Sequence, residues 1–145
     1  MIWPQRPDNW RMGAKPAQKT VCELAHIISR YEPLTVCVSA AQYENARSRL
    51  DPAVRVIELS SNDAFLRDPG PTFVISDSQV RGISWTFNGY GGTQEGLYFP
   101  WDADELIAQK LCELERLDYY QVQEFVLEGC ALRFDGENTI VVTEE

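Results

Sequence analysis

An α/β fold built on a repeated supersecondary unit is predicted by three features of the 145-residue sequence. Helical apolar periodicity alternates with short β-branched runs. Paired runs meet at tight-turn residues. An acidic loop that leads into a hairpin occurs twice, with Glu128 lying 60 positions after Asp68 and Asp135 lying 58 after Asp77.

Composition narrows the class further. With 44% hydrophobic and 24% charged residues, the chain reads as one ordinary globular domain, too apolar for its charge to be disordered. No apolar run approaches the roughly 18 residues of a membrane span. Thirteen basic against 22 acidic residues leave a net charge of -9. That sign disfavours nucleic acid and anionic lipid as partners and favours cationic ligands by weak steering. Cys22, Cys37, Cys112 and Cys130 form no C-x-x-C pair, and His26 is the single histidine. No metal is therefore expected, and no cofactor is assigned. The first three cysteines sit in periodic apolar segments and read as small buried hydrophobes. With no signal peptide or lipidation motif at Met1, the cytoplasm is the expected compartment.

Along the chain, residues 14–30 place Ala17, Val21, Leu24, Ala25 and Ile28 on one helical face. Pro16 suits a first helical turn, and Pro33 blocks continuation. Residues 34–38 read as a buried strand. Ser39 is positioned to cap a helix over 40–50, with Gln42 completing a capping box. A strand is expected at 54–59 and a loop at 60–71, where Ser, Asn, Asp, Gly and Pro accumulate. Strands at 72–76 and 80–87 form a hairpin about Asp77-Ser78. Asp102 caps a helix running to about residue 117, with Glu105 three positions on and an apolar face of Leu106, Ile107, Leu111 and Leu114. Strands follow at 119–127, 131–134 and 139–143, the last two joined by Asp135-Gly136. Residues 72–127 thus read strand, strand, helix, strand, and a new hairpin opens at 131. If such units stand in a ring, Asp68 and Glu128 face one axis; coincidence between two acidic loops is the competing reading.

Chemistry-bearing residues cluster in the same places. The stretch 61–72 is polar, stiffened by Pro69 and Pro71, and held between apolar strands, where sites tend to sit. Asp63 and Arg67 could simply pair with each other. Asp68 lies against a strand entrance, where a carboxylate needs a cation or several donors. Glu128, between Leu127 and Gly129, is either an edge charge or a buried functional acid. Gly91-Gly92 could admit a ligand close to backbone, or form a plain turn. Trp85, Tyr90 and Trp101 could wall a pocket or belong to the core.

Four strings carry a resemblance: Trp3-Pro4-Gln5-Arg6-Pro7-Asp8-Asn9-Trp10-Arg11, Ser61-Asn62-Asp63 through Gly70-Pro71-Thr72, Asn88-Gly89-Tyr90-Gly91-Gly92, and Leu127-Glu128-Gly129. In this order they resemble the agmatine deiminases, within the bacterial-type peptidylarginine deiminases. The resemblance implies a five-bladed α/β propeller of the pentein type, of which about two ββαβ units are present. It makes residues 1–145 the N-terminal part of a single catalytic domain, truncated at both ends. Family members remove ammonia from a guanidine: a cysteine thiolate attacks the guanidinium carbon, a histidine moves protons, and water hydrolyses the thiouronium. Agmatine becomes N-carbamoylputrescine, a step toward putrescine.

By motif position, Asp68 resembles the family's guanidinium-binding aspartate and Glu128 its catalytic glutamate. Phe65 takes the place of a substrate-facing tryptophan. Asn62, Asp63, Arg67, Gly91 and Gly92 are expected to shape loops. Planar paired N–H donors suit two carboxylates, each charged bond contributing on the order of 1.5–3 kcal/mol in a dry site. Departures are Cys130 for a second glycine, Arg133 for a histidine, Pro69 for a threonine and Tyr90 for a tryptophan. The family's nucleophile and histidine match nothing here, and His26 reads as a helix-face residue. The chain is thus expected to be an inactive fragment with a small cationic partner and open sheet edges that favour self-association. A standalone guanidinium-binding module is the alternative. Agmatine is the expected substrate, with peptidyl or free arginine as competitor.

Overall fold

The computed structural model describes residues 1–143. The chain divides into two compact units, Met1–Ala64 and Phe65–Glu145.

In the first unit, β1 (Thr35–Val38) pairs in parallel with β2 (Arg55–Glu58), and Ile2 bridges Cys37 in parallel on the other side. Trp3 N–H donates to the Cys37 carbonyl at 2.9 Å, and Cys37 N–H donates to that of Met1 at 2.8 Å. The opening apolar residues thus extend a parallel sheet. Helix α1 (Lys15–Ile28), with Pro16 in its first turn as expected, and α2 (Tyr43–Arg49) cover it. Trp3, Ala25, Val36, Val38, Ala46, Leu50 and Val54 form the core. Each large aliphatic side chain buried there contributes about 1.5–3 kcal/mol.

Two details depart from the sequence reading. Leu24, expected inside, is 45% exposed, whereas Gln18 is 4% exposed. Gln18 donates to the Pro4 carbonyl (2.9 Å) and accepts from Arg49 (2.8 Å), so hydrogen bonding decides which stripe of the helix turns inward. The Ser39–Gln42 capping box does not form either. Ser39 Oγ donates to Gln5 Oε1 at 2.5 Å, and a 3₁₀ turn at Ala40–Gln42 precedes α2.

The second unit carries the predicted strand-strand-helix-strand order. β3 (Thr72–Ser76) and β4 (Gln79–Thr86) form an antiparallel hairpin turning at Asp77 (φ 49°) and Ser78 (φ 70°). Both left-handed residues identify the turn that matches strand twist. β5 (Tyr119–Val126) returns in parallel beside β4, with a register shift between Ser84 and Thr86. Between these strands lie three short helices, α3 (Gly92–Glu95), α4 (Asp102–Glu105) and α5 (Ile107–Leu114). The single helix expected from Asp102 is broken at Leu106, and its N-cap is Trp101 with no side-chain cap, so Asp102 does not cap. Its inward face is also shifted: Ile107, Ala108 and Cys112 are buried, while Leu106 and Leu114 are largely exposed. Close approach explains the choice, because α5 lies on β4 at Gly82, where only a small residue leaves room.

The closing hairpin, β6 (Leu132–Phe134) with β7 (Ile140–Val142), is antiparallel. Its loop spans 135–139 rather than a two-residue Asp135-Gly136 turn, because the Asp135 carboxylate accepts from Glu137 N–H (2.8 Å) and Thr139 N–H (3.1 Å). One ββαβ unit is therefore complete and a second hairpin opens after it, while the first unit uses parallel strands instead. Phe73 and Ile75 on β3, Phe125 on β5, and Phe134, Ile140, Val141 and Val142 on β6 and β7 are exposed.

Candidate active site

The loop before β3 and the turn after β5 meet at one glycine. A Cβ on Gly129 would stand 2.4 Å from the Arg67 carbonyl oxygen and 2.8 Å from Arg67 Cγ. This close approach sets Glu128 and Cys130 beside Asp68. Cys130 N–H donates to Asp68 Oδ1 at 3.1 Å, and Cys130 Sγ donates to Glu128 Oε2 at 3.3 Å. Both predicted acids therefore hydrogen-bond a single residue, Cys130. Each is half-buried. Among the described residues neither has a cationic partner. Two carboxylates held on one residue leave acceptor oxygens that a planar cation with paired N–H donors could use.

Aromatic rings stand beside the pair. Phe65 meets Tyr90 edge-on at 5.7 Å and stacks with Tyr98 at 6.5 Å. Tyr90 also packs edge-on against Phe87 at 5.3 Å. Such pairs add about 0.5–1.5 kcal/mol each beyond burial. Tyr90 Oη donates to Asp68 Oδ2 at 2.9 Å. Its backbone is left-handed, φ 67°, within a run from Gly89 to Gly92 that is positive throughout. A bulky side chain held there costs on the order of 1–3 kcal/mol. Gly91 (φ 137°) lies against the Glu95 backbone, and Gly92 N–H donates to the Asn88 carbonyl at 2.8 Å, so both shape the loop that carries Tyr90. Behind it, Tyr98 donates its hydroxyl to Asp104, which is fully buried.

Burial, then the hydrogen bond to Asp68 and the charges of Asp68, Glu128 and Asp104, push the Tyr90 hydroxyl far above its ordinary range. The Cys130 thiol is also pushed up, first by its hydrogen bond to Glu128, then by desolvation and both acids. A thiol held protonated is no nucleophile near neutral pH. Because the carboxylate raises the thiol, Cys130 should react with iodoacetamide more slowly than a free cysteine at pH 8. Glu128→Gln should speed labelling severalfold. Peptide mass spectrometry reads the rate, and equal rates in the two proteins would show that the contact is absent.

Asn62 and Asp63 belong to the first unit. Asp63 is buried and accepts from Asn9 Nδ2 (2.5 Å), Trp10 Nε1 (2.7 Å) and Ala64 N–H (2.7 Å), partners that the sequence reading did not assign to it. It ties down the Asp8-Asn9-Trp10 stretch. Arg67 is exposed and contributes its backbone to the seat of Gly129. Cys22 is partly exposed, Cys37 and Cys112 are buried, and His26 is an exposed helix-face residue. Asp104 went unrecognised, since nothing in Asp102-Ala103-Asp104-Glu105 separates one acid from its neighbours. Among the described residues no group of three His, Cys, Asp or Glu could hold a metal ion, and no helix is long and apolar enough to cross a membrane.

The α/β scaffold that carries these residues is matched along the whole sequence. Residues 1–145 match the Porphyromonas-type peptidyl-arginine deiminase family, and the chain belongs to it. Within that family it is 58% identical over 146 or 147 residues to proteins that include the agmatine deiminase of Pseudomonas fluorescens, covering 100% of this chain and 40% of that one. The agmatine deiminase of Pseudomonas aeruginosa is 56% identical over the same shares. The structure of the Enterococcus faecalis agmatine deiminase superposes with a TM-score of 0.96 at 52% identity, over 99% of this chain and 40% of that chain. The chain thus spans about two-fifths of the length of these relatives.

Proposed function

We propose that this chain supplies the guanidinium-gripping part of an agmatine deiminase-like hydrolase, which converts agmatine and water to N-carbamoylputrescine and ammonia. The observation that carries this reading is the convergence of Asp68 and Glu128 on Cys130 with no cationic partner for either among the described residues. A guanidinium meets both needs at once, because it offers paired N–H donors and a charge that two carboxylates would otherwise lack. In this reading Phe65, packed edge-on against the tyrosine that holds Asp68, supplies a ring for the guanidinium. Holding the headgroup by both acids fixes its central carbon for attack. The attacking thiolate lies outside these residues. Cys130, the cysteine at the site, has its proton held by Glu128, and the other three stand on α1, β1 and α5.

In this reading residues 1–145 are the N-terminal part of one catalytic domain. The ββαβ unit with a second hairpin after it supports a five-bladed propeller of the pentein type. Four free cysteines fit a reducing cytoplasm. The exposed apolar side chains of β3, β6 and β7 favour self-association of the isolated chain.

Titration of the 145-residue chain with agmatine, followed by calorimetry and by NMR, tests the reading. Saturable millimolar binding is expected, with putrescine, which lacks the guanidine, binding more weakly. Asp68→Asn should weaken agmatine at least about tenfold, the size of one charged hydrogen bond. No ammonia should be released. Equal affinity for agmatine and putrescine, or an unaffected Asp68→Asn variant, would rule out guanidinium recognition.

A further inference from the structure

A carboxylate can accept two coplanar N–H groups only if its plane is held, and an aspartate turns freely about two bonds unless its oxygens are tied. In this chain both are tied. Cys130 N–H reaches Oδ1 of Asp68 at 3.1 Å, and the Tyr90 hydroxyl reaches Oδ2 at 2.9 Å. Each oxygen keeps a second lone pair for a ligand. We infer that Tyr90 is a positioning residue, whose hydroxyl sets the plane of the Asp68 carboxylate to receive a guanidinium.

What holds Tyr90 itself supports this. Its left-handed backbone is flanked by Gly89 (φ 65°) and Gly91 (φ 137°), which frame the strained residue. Phe65, Phe87 and Tyr98 pack against its ring at 5.7, 5.3 and 6.3 Å. Tyr98 is anchored in turn by its hydroxyl on buried Asp104. A line of contacts therefore runs from buried Asp104 through two tyrosines to half-buried Asp68. Burial and the neighbouring acids keep the Tyr90 proton in place, so the hydroxyl remains a donor across the working range of pH. A phenylalanine would satisfy the packing equally well, so the hydroxyl is what the packing leaves unexplained.

This inference rests on the guanidinium reading for its ligand, but its first test does not. The Cys130 amide reports the orientation of Asp68 without any ligand. In Tyr90→Phe its hydrogen exchange should quicken about tenfold as Asp68 swings free, while the remaining amide spectrum of the fold is retained. In an Asp68→Ala background the exchange is already fast, and Tyr90→Phe should add nothing to it; a general loosening of the loop would still add. Agmatine affinity should fall about tenfold in Tyr90→Phe, about 1.4 kcal/mol. An unchanged Cys130 amide in Tyr90→Phe overturns the inference, and so does an equal response with or without Asp68. If that amide responds as expected while the unmodified chain fails to bind agmatine, the guanidinium reading falls and the positioning of Asp68 by Tyr90 stands.

Discussion

Gly82→Ala is expected to destabilise the Phe65–Glu145 unit more than any surface change. A Cβ there would stand 2.3 Å from Cys112 Sγ, with Pro71 and Tyr119 Cβ atoms at 3.5 Å. Cys112 is fully buried on α5, and its side chain has a single torsion with which to yield. Relief requires α5 to lift from β4. Overpacking of this kind costs about 1–3 kcal/mol, or more where backbone must move. Alanine in place of glycine within a strand returns only about 0.5–1 kcal/mol of backbone entropy. For a unit of this size each net kcal/mol lowers Tm by roughly 4–8 °C. Thermal melting of the chain measures it. The double variant Gly82→Ala with Cys112→Ala should recover much of the loss, because the atom in conflict is gone. A double variant no better than the single one would show that the helix does not rest on this glycine.

The second large effect is expected at Gly129, and it falls on the site more than on the fold. An added Cβ would meet the Arg67 carbonyl oxygen at 2.4 Å and its carbon at 3.1 Å. Both atoms are backbone, so the turn bearing Glu128 and Cys130 must move away from the loop bearing Asp68. The Cys130 amide then loses Oδ1, and the two acids separate. Agmatine affinity should fall tenfold or more, since bidentate recognition tolerates little displacement. Stability should change by about 1–3 kcal/mol at most. Comparing the calorimetric affinity of Gly129→Ala with its melting temperature separates the two. A variant that binds agmatine as well as the unmodified chain would mean that the acids are not brought together by this contact.

Much of the architecture follows from local chemistry. The hairpin at Asp77-Ser78 and the alternation of helix and strand depend on turn residues and apolar periodicity within a few positions, and these were readable. The 60-residue spacing also put Asp68 and Glu128 forward together, and both hydrogen-bond Cys130, Asp68 through its amide and Glu128 through its thiol. Cap residues were misread for a reason of the same scale. Ser39 and Asp102 have the right side chains for caps, but Gln5 takes the Ser39 hydroxyl and the helix after Trp101 starts one residue early.

Other features depend on groups far apart in the chain. The Tyr90 hydroxyl reaches Asp68 across 22 positions, and the Cys130 amide reaches it across 62. Asp104 looks like any surface acid until Tyr98 folds over it. Gly129 looks like a turn glycine until the Arg67 backbone closes on it. Sequence pattern records which side chains each element offers to its neighbours. Which donor meets which acceptor is settled only when distant segments pack, since a hydrogen bond depends on tenths of an ångström that no local preference encodes.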